Sequence, residues 1–268
     1  MKINSKGIRD REYSYSKEYP FTRIVVLGDS FTFGLGVKDY RDTYPKIIED
    51  SLLNAGYPVE VINLGVGGYN TSQEINFFKI EGFKYNPDLI ILTFNLSDNG
   101  PVSVDIPRIR LLQKYHILNI RKMLGRNIYA ITYLKKLILK FLTGTHLKQS
   151  PRFIPESSYS GCVNQITGFS RYLEGRDVQL LVFILPEIEN FQNYQYSRIH
   201  DYIRSNLLNN GVICYDLLPD FRNHNLDPGD IRFRINDPHL NELGHKYLAS
   251  FMLPKLRPFI ENQKKRGP

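Results

Sequence analysis

The sequence predicts an α/β fold of three layers, in which a mostly parallel, five-stranded sheet lies between two layers of helices. Two observations carry that expectation. Short apolar runs rich in β-branched residues recur along the chain, and segments with apolar residues at helical spacing separate them. Short joins between the two kinds of segment imply parallel pairing with crossover helices, and right-handed crossovers place those helices on both faces of the sheet.

The first strand is residues 23–27 (RIVVL), closed by Gly28; a continuous β-branched run suits a strand buried on both faces. Over residues 43–55, Tyr44, Ile47, Ile48, Leu52 and Leu53 share one helical face, and Gly56 then Pro58 end the helix. Residues 59–64 (VEVINL) form the second strand. A helix follows over 71–83, capped by Asn70 or Thr71, with Glu74 reaching back in the manner of a capping box. Pro87-Asp88 stops it. Residues 89–94 (LIILTF) form the third strand and 178–185 (VQLLVFIL) the fourth, with a helix over 158–174 before the latter. A helix near 194–208, a shorter strand over 212–216 and a last helix beginning over 241–251 complete the pattern. Ligands bind such sheets outside the carboxyl ends of the strands.

The third and fourth strands are separated by roughly eighty residues, far more than a simple crossover needs, so residues 101–157 read as a helical insertion or cap within one domain spanning 1–268. Between Ile106 and Pro155 there are eleven Lys or Arg and no acid, while the rest of the chain, with 24 basic and 27 acidic residues, sums to about −3. The formal net charge of +8 therefore comes from this one segment. Within it, Ile131, Leu134, Ile138 and Phe141 line one face of a basic amphipathic helix over 128–142. Two readings stay open: a surface helix whose Lys and Arg are solvated, or a cap that leans on an anionic membrane surface or guides an acidic glycan. The run holds no nucleic-acid recognition motif, so no nucleic acid is expected as a partner.

With 42% hydrophobic and 23% charged residues, the composition is that of a globular protein rather than a disordered one. Cys162 and Cys214 are too few for a disulfide framework and form no CxxC pair, so both read as buried, unpaired thiols. The N-terminal residues lack an apolar signal region, and no stretch approaches the ~18 apolar residues of a membrane span. A cytoplasmic or membrane-peripheral location is the expectation, with a removed anchor left open.

Three segments carry candidate chemistry. Gly28-Asp29-Ser30-Phe31 follows the first strand directly, where a Ser beside Gly either caps the next turn or presents its hydroxyl at the sheet edge to a base. Asn63-Leu64-Gly65-Val66-Gly67-Gly68 follows the second strand, and Asp237-Pro238-His239 precedes the last helix. A Ser and a His that both reach loops at one sheet edge make a nucleophile and base. His245 is the rival base, but it falls inside the last helix, where packing or capping suits it better.

The run VLGDSFTFGLGV (26–37) resembles the first block of the SGNH, or GDSL-type, hydrolases, and the Asn63 to Thr71 and Asp237 to His245 segments are similar to two further blocks of that family. The resemblance implies a flavodoxin-like SGNH fold and a serine esterase that needs no metal or organic cofactor. It implies Ser30 as nucleophile, His239 as base and the Gly68 N–H as an oxyanion donor. The commoner family spacing puts the acid three residues before the His, at Asn236 here; Asp237, two before, makes an Asp-x-His form and is the expected acid. The third block departs from the family pattern, which carries Gly-x-Asn-Asp. Here Phe94-Asn95-Leu96-Ser97-Asp98-Asn99 places Ser97 on the donor position by ungapped counting, and a shifted loop would deliver Asn95 or Asn99 instead. The substrates implied are small-molecule, glycan or lipid esters, acetyl on sugar or acyl on lipid. Two alternatives share these blocks: an O-acyltransferase acting on polysaccharide, and a catalytically silent module that binds glycan or lipid.

Overall fold

The computed structural model of the chain describes residues 3–18, 21–99, 154–234 and 237–266. The segments of Met1–Gly100 and Glu156–Pro268 so described belong to one compact unit. The expected insertion over 101–157 lies outside the described residues except for 154–157, and the basic helix expected over 128–142 lies wholly outside them.

Five strands, β1 (Thr22–Leu27), β2 (Val59–Asn63), β3 (Leu89–Asn95), β4 (Gln179–Leu185) and β5 (Ile213–Asp216), form a sheet in the order β2-β1-β3-β4-β5. Every pairing in it is parallel. The helices between and after them are α1 (Ser30–Phe33), α2 (Tyr44–Asn54), α3 (Thr71–Ile80), α4 (Ser160–Leu173), α5 (Ser197–Asn209), α6 (Leu218–Asn223), α7 (Pro228–Ile231) and α8 (Glu242–Arg266). A separate antiparallel pair, β6 (Arg232–Arg234) with β7 (Asp237–Leu240), lies just before α8, where the apolar periodicity of the sequence marks no strand.

The reason for the continuous apolar strands is that both faces are covered. Val25 and Leu27 of β1, with Ile90, Leu92 and Phe94 of β3, pack under Phe78 of α3, Phe169 of α4 and Ile203 of α5. Their neighbours Ile24, Val26, Leu89 and Ile91 pack on the opposite face with Ile48 of α2, Phe221 of α6 and Met252 of α8. Each such fully buried side chain contributes about 1.5–3 kcal/mol relative to exposure.

Two local expectations change. The capping box of α3 is built by Asn70 and Gln73, which bond each other's backbone N–H, whereas Glu74 turns inward and is 2% exposed. The last helix runs on to Arg266 through Pro254 and Pro258. An interior proline costs a helix about 3 kcal/mol through its missing donor and its ring clash. Leu256 and Ile260, both at 1% exposure or less in the core of the second face, offset that cost.

The strand order places the site. The chain leaves β1 toward β2 on one side and returns to β3 on the other, which opens a crevice at the carboxyl ends of β1 and β3. Leu27 pairs with Leu92 and Asn95 with Leu185, so the loops after β1, β3 and β4 emerge at the same edge.

Candidate active site

Ser30 is the first residue of α1, immediately beyond β1. Asp29 caps that helix by accepting a hydrogen bond from Phe31 N at 2.9 Å. Gly28 is required by space: a Cβ there would stand 2.0 Å from Thr32 Oγ1 and 3.2 Å from Thr93 O. Gly65 is required by the approach of the next loop, since a Cβ on it would lie 2.3 Å from Phe33 N. Asn63 then ties the two loops together, its Nδ2 donating to Thr32 O at 2.8 Å and its Oδ1 accepting from Gly65 N at 2.9 Å. The glycines are thus what lets the second loop lie flat against the helix that carries Ser30.

The hydrogen-bonded line runs from Ser30 to His239 to Asp237. Ser30 Oγ is 2.7 Å from His239 Nε2, and His239 Nδ1 is 2.5 Å from Asp237 Oδ1. The same carboxyl oxygen accepts from His239 N at 3.1 Å, which fixes the ring against its own backbone. Phe31 packs on the imidazole with ring centroids 5.1 Å apart. Partial burial opposes ionisation of Asp237, but the His239 hydrogen bonds and nearby Arg234 outweigh it and hold the carboxyl below the usual range. An ionised Asp237 favours the tautomer with the proton on Nδ1, leaving Nε2 to accept from Ser30. Asn236 lies outside the described residues.

His245 is elsewhere. Its Nδ1 accepts from Tyr44 N at 3.2 Å and so caps α2, and its ring stacks on Tyr44. Complete burial, then the charges of Arg9 and His239, push its pKa down to about 3 and keep it neutral.

A Cβ on Gly67 would lie 3.9 Å from Ser30 Cβ, whereas one on Gly68 would meet open space. The N–H groups of Gly67 and Gly68 have no acceptor among the described residues. In the third loop Asn95 is buried, with its Oδ1 accepting both Ser97 N and Ser97 Oγ at 2.9 Å. Its Nδ2 is buried and unpartnered among the described residues. Ser97 as a residue is exposed, and its hydroxyl is held by that bond to Asn95. Asn99 engages Cys162 Sγ at 3.3 Å through Oδ1.

Sequence reasoning missed the buried acids around this edge. Glu74 and Asp98 sit near Asp29; burial raises each of the three, and the neighbouring carboxyls push Glu74 and Asp98 well above the usual range. A buried carboxyl without a cation is expected to hold its proton. Glu187, two residues past β4, was also missed. Its N–H donates to Tyr194 Oη at 2.9 Å, Tyr194 bonds His200 Nε2 at 3.0 Å, and His200 Nδ1 bonds Asp216 at 2.7 Å. Burial, then Glu189 and Asp29, raise the Glu187 carboxyl to about 7. No local pattern marks these residues, because each owes its environment to segments distant in the chain.

Among the described residues, no three His, Cys, Asp or Glu side chains gather as a metal site, and no helix is long and apolar enough to cross a membrane. Cys162 and Cys214 are both buried and free.

A profile of the GDSL-like Lipase/Acylhydrolase family matches residues 26–247. Among solved structures, the chain is similar to the acetyl xylan esterase AlAXEase, with 18% identity and a TM-score of 0.53 over 87% of this chain and 99% of that one. It is also similar to the lipase/acylhydrolase from Enterococcus faecalis, with 13% identity and a TM-score of 0.54 over 88% and 96% of the two chains. The corresponding values for TesA are 11% and 0.56, over 88% and 99%. At these identities the likeness is one of fold. None of the curated proteins compared matches the chain.

Proposed function

This chain belongs to the GDSL-like lipase/acylhydrolase family and is a serine ester hydrolase, and from that premise we propose that Ser30 is its nucleophile, His239 its general base and Asp237 the carboxylate that orients the base. The observation that supports these roles is the line Asp237–His239–Ser30, with hydrogen-bond separations of 2.5 and 2.7 Å.

In this reading the substrate is a carboxylic ester, with O-acetyl groups on carbohydrate and acyl groups on lipid as the classes to assay. Ser30 Oγ attacks the acyl carbon while its proton passes to His239 Nε2, and Asp237 stabilises the imidazolium that forms. The carbonyl oxygen, now negative, is met by backbone N–H groups of Ser30 and Gly68, with Gly67 beside them, and by the Ser97 hydroxyl swinging off Asn95. Collapse expels the alcohol, which takes the proton from His239. Water then attacks the acyl carbon as His239 Nε2 takes its proton, and the bond to Ser30 Oγ breaks as that proton passes to the oxygen, which releases the acid and restores the free hydroxyl.

The test is Ser30→Ala assayed with p-nitrophenyl acetate and with a fluorophosphonate probe. Both hydrolysis and labelling should vanish while the melting curve stays in place. Undiminished hydrolysis or labelling in that variant would overturn the assignment.

A further inference from the structure

We infer that Arg9 and Asp10, which precede the family-matched residues, are positioning residues for the catalytic loops. The inference rests on the ester-hydrolase reading of Ser30. Arg9 is 4% exposed, and its guanidinium donates through Nη1 to Phe33 O at 2.8 Å and Gly34 O at 2.6 Å. Through Nη2 it donates to Val37 O at 2.6 Å and Lys38 O at 3.2 Å. These carbonyls belong to the end of the four-residue helix that begins with Ser30 and to the turn that follows it. Helix carbonyl ends are electronegative, and the planar fork of an arginine holds several of them at once in a way that a lysine ammonium does not.

Asp10 takes hold of the second loop. It is fully buried, and its Oδ2 accepts from Asn63 N at 3.0 Å while Lys46 lies 3.3 Å from Oδ1. Asn63 is the residue that ties Gly65 to Thr32. Two consecutive residues of opposite charge therefore hold the Ser30 helix and the Gly67-Gly68 loop, one through carbonyls and the other through an amide. Their joint effect is on the distance between nucleophile and oxyanion donors. A misplacement of 1 Å in such a geometry costs on the order of 10²-fold in rate.

The experiment compares the parent with Arg9→Met, Arg9→Lys, Arg9→Ala and Asp10→Asn on p-nitrophenyl acetate, well below each melting temperature. The expected result is a fall in kcat of about 10²-fold for Arg9→Met with KM changed less than about threefold, a smaller fall for Arg9→Lys, and partial restoration of Arg9→Ala by added methylguanidinium. Should Arg9→Met not fold, Arg9→Lys and Asp10→Asn carry the comparison. Amide exchange by mass spectrometry supplies a readout independent of turnover: exchange should rise over residues 30–38 in the Arg9 variants and over 63–70 in Asp10→Asn, with β3 and β4 unchanged. A folded variant with lowered melting temperature but unchanged kcat, or with unaltered exchange in those two loops, overturns the proposal. A parent that neither hydrolyses the ester nor reacts with the probe sinks the esterase reading instead, and the exchange data then judge the clamp on their own.

Discussion

His239 Nε2 lies 2.7 Å from the Oγ of Ser30, a residue 209 positions earlier in the chain. Their meeting depends on β7, which carries His239 alongside α1, and on the 3.1 Å bond from His239 N to Asp237 that sets the ring's direction.

Removing the orienting carboxylate should cost much more than changing its neighbour. Asp237→Asn is expected to lower kcat by about 10²–10⁴-fold, because the asparagine no longer favours the tautomer that accepts from Ser30. Asn236→Ala should stay close to the parent. Steady-state kinetics on p-nitrophenyl acetate decide between them, and the reverse ranking would move the acid to the other position.

In the third loop the Ser97 hydroxyl is held by Asn95 Oδ1 at 2.9 Å. Ser97→Ala should reduce kcat by about 10²-fold with little change in KM if that hydroxyl meets the oxyanion. Asn99→Ala, whose side chain faces Cys162, should leave kcat nearly unchanged. Equal kinetics in parent and Ser97→Ala would remove Ser97 from the mechanism.

Glu187 makes stability depend on pH. Its carboxyl titrates near 7 in the folded chain against 4.5 in the open chain, so between those values the native state keeps a proton that the unfolded state has released. Stability from this group is therefore full below about pH 4.5 and declines as pH rises toward 7. Glu187→Gln removes the decline: relative to the parent it should gain stability at about pH 8 compared with about pH 4. Urea unfolding at the two pH values measures the difference, and an identical pH profile in parent and variant contradicts it.

Much of the layout was legible from the chain because it is written in short-range patterns. The runs 23–27, 59–64, 89–94 and 178–185 announce doubly covered strands, since only burial on both faces makes an unbroken apolar strand favourable. Gly28-Asp29-Ser30 and Asp237-Pro238-His239 were readable because, as contiguous motifs, they resemble blocks of a known hydrolase family. Tertiary structure alone decided how charged and polar side chains inside the fold are satisfied. It carried α8 through two prolines on the strength of Leu256 and Ile260, turned Glu74 inward, and made His245 a neutral cap for Tyr44. It also drew Arg9 and Asp10 onto loops that begin at Ser30 and Asn63. Apolar periodicity is set by near neighbours in sequence, whereas the partner of a buried charge comes from wherever the folded chain brings a carbonyl or an amide within reach.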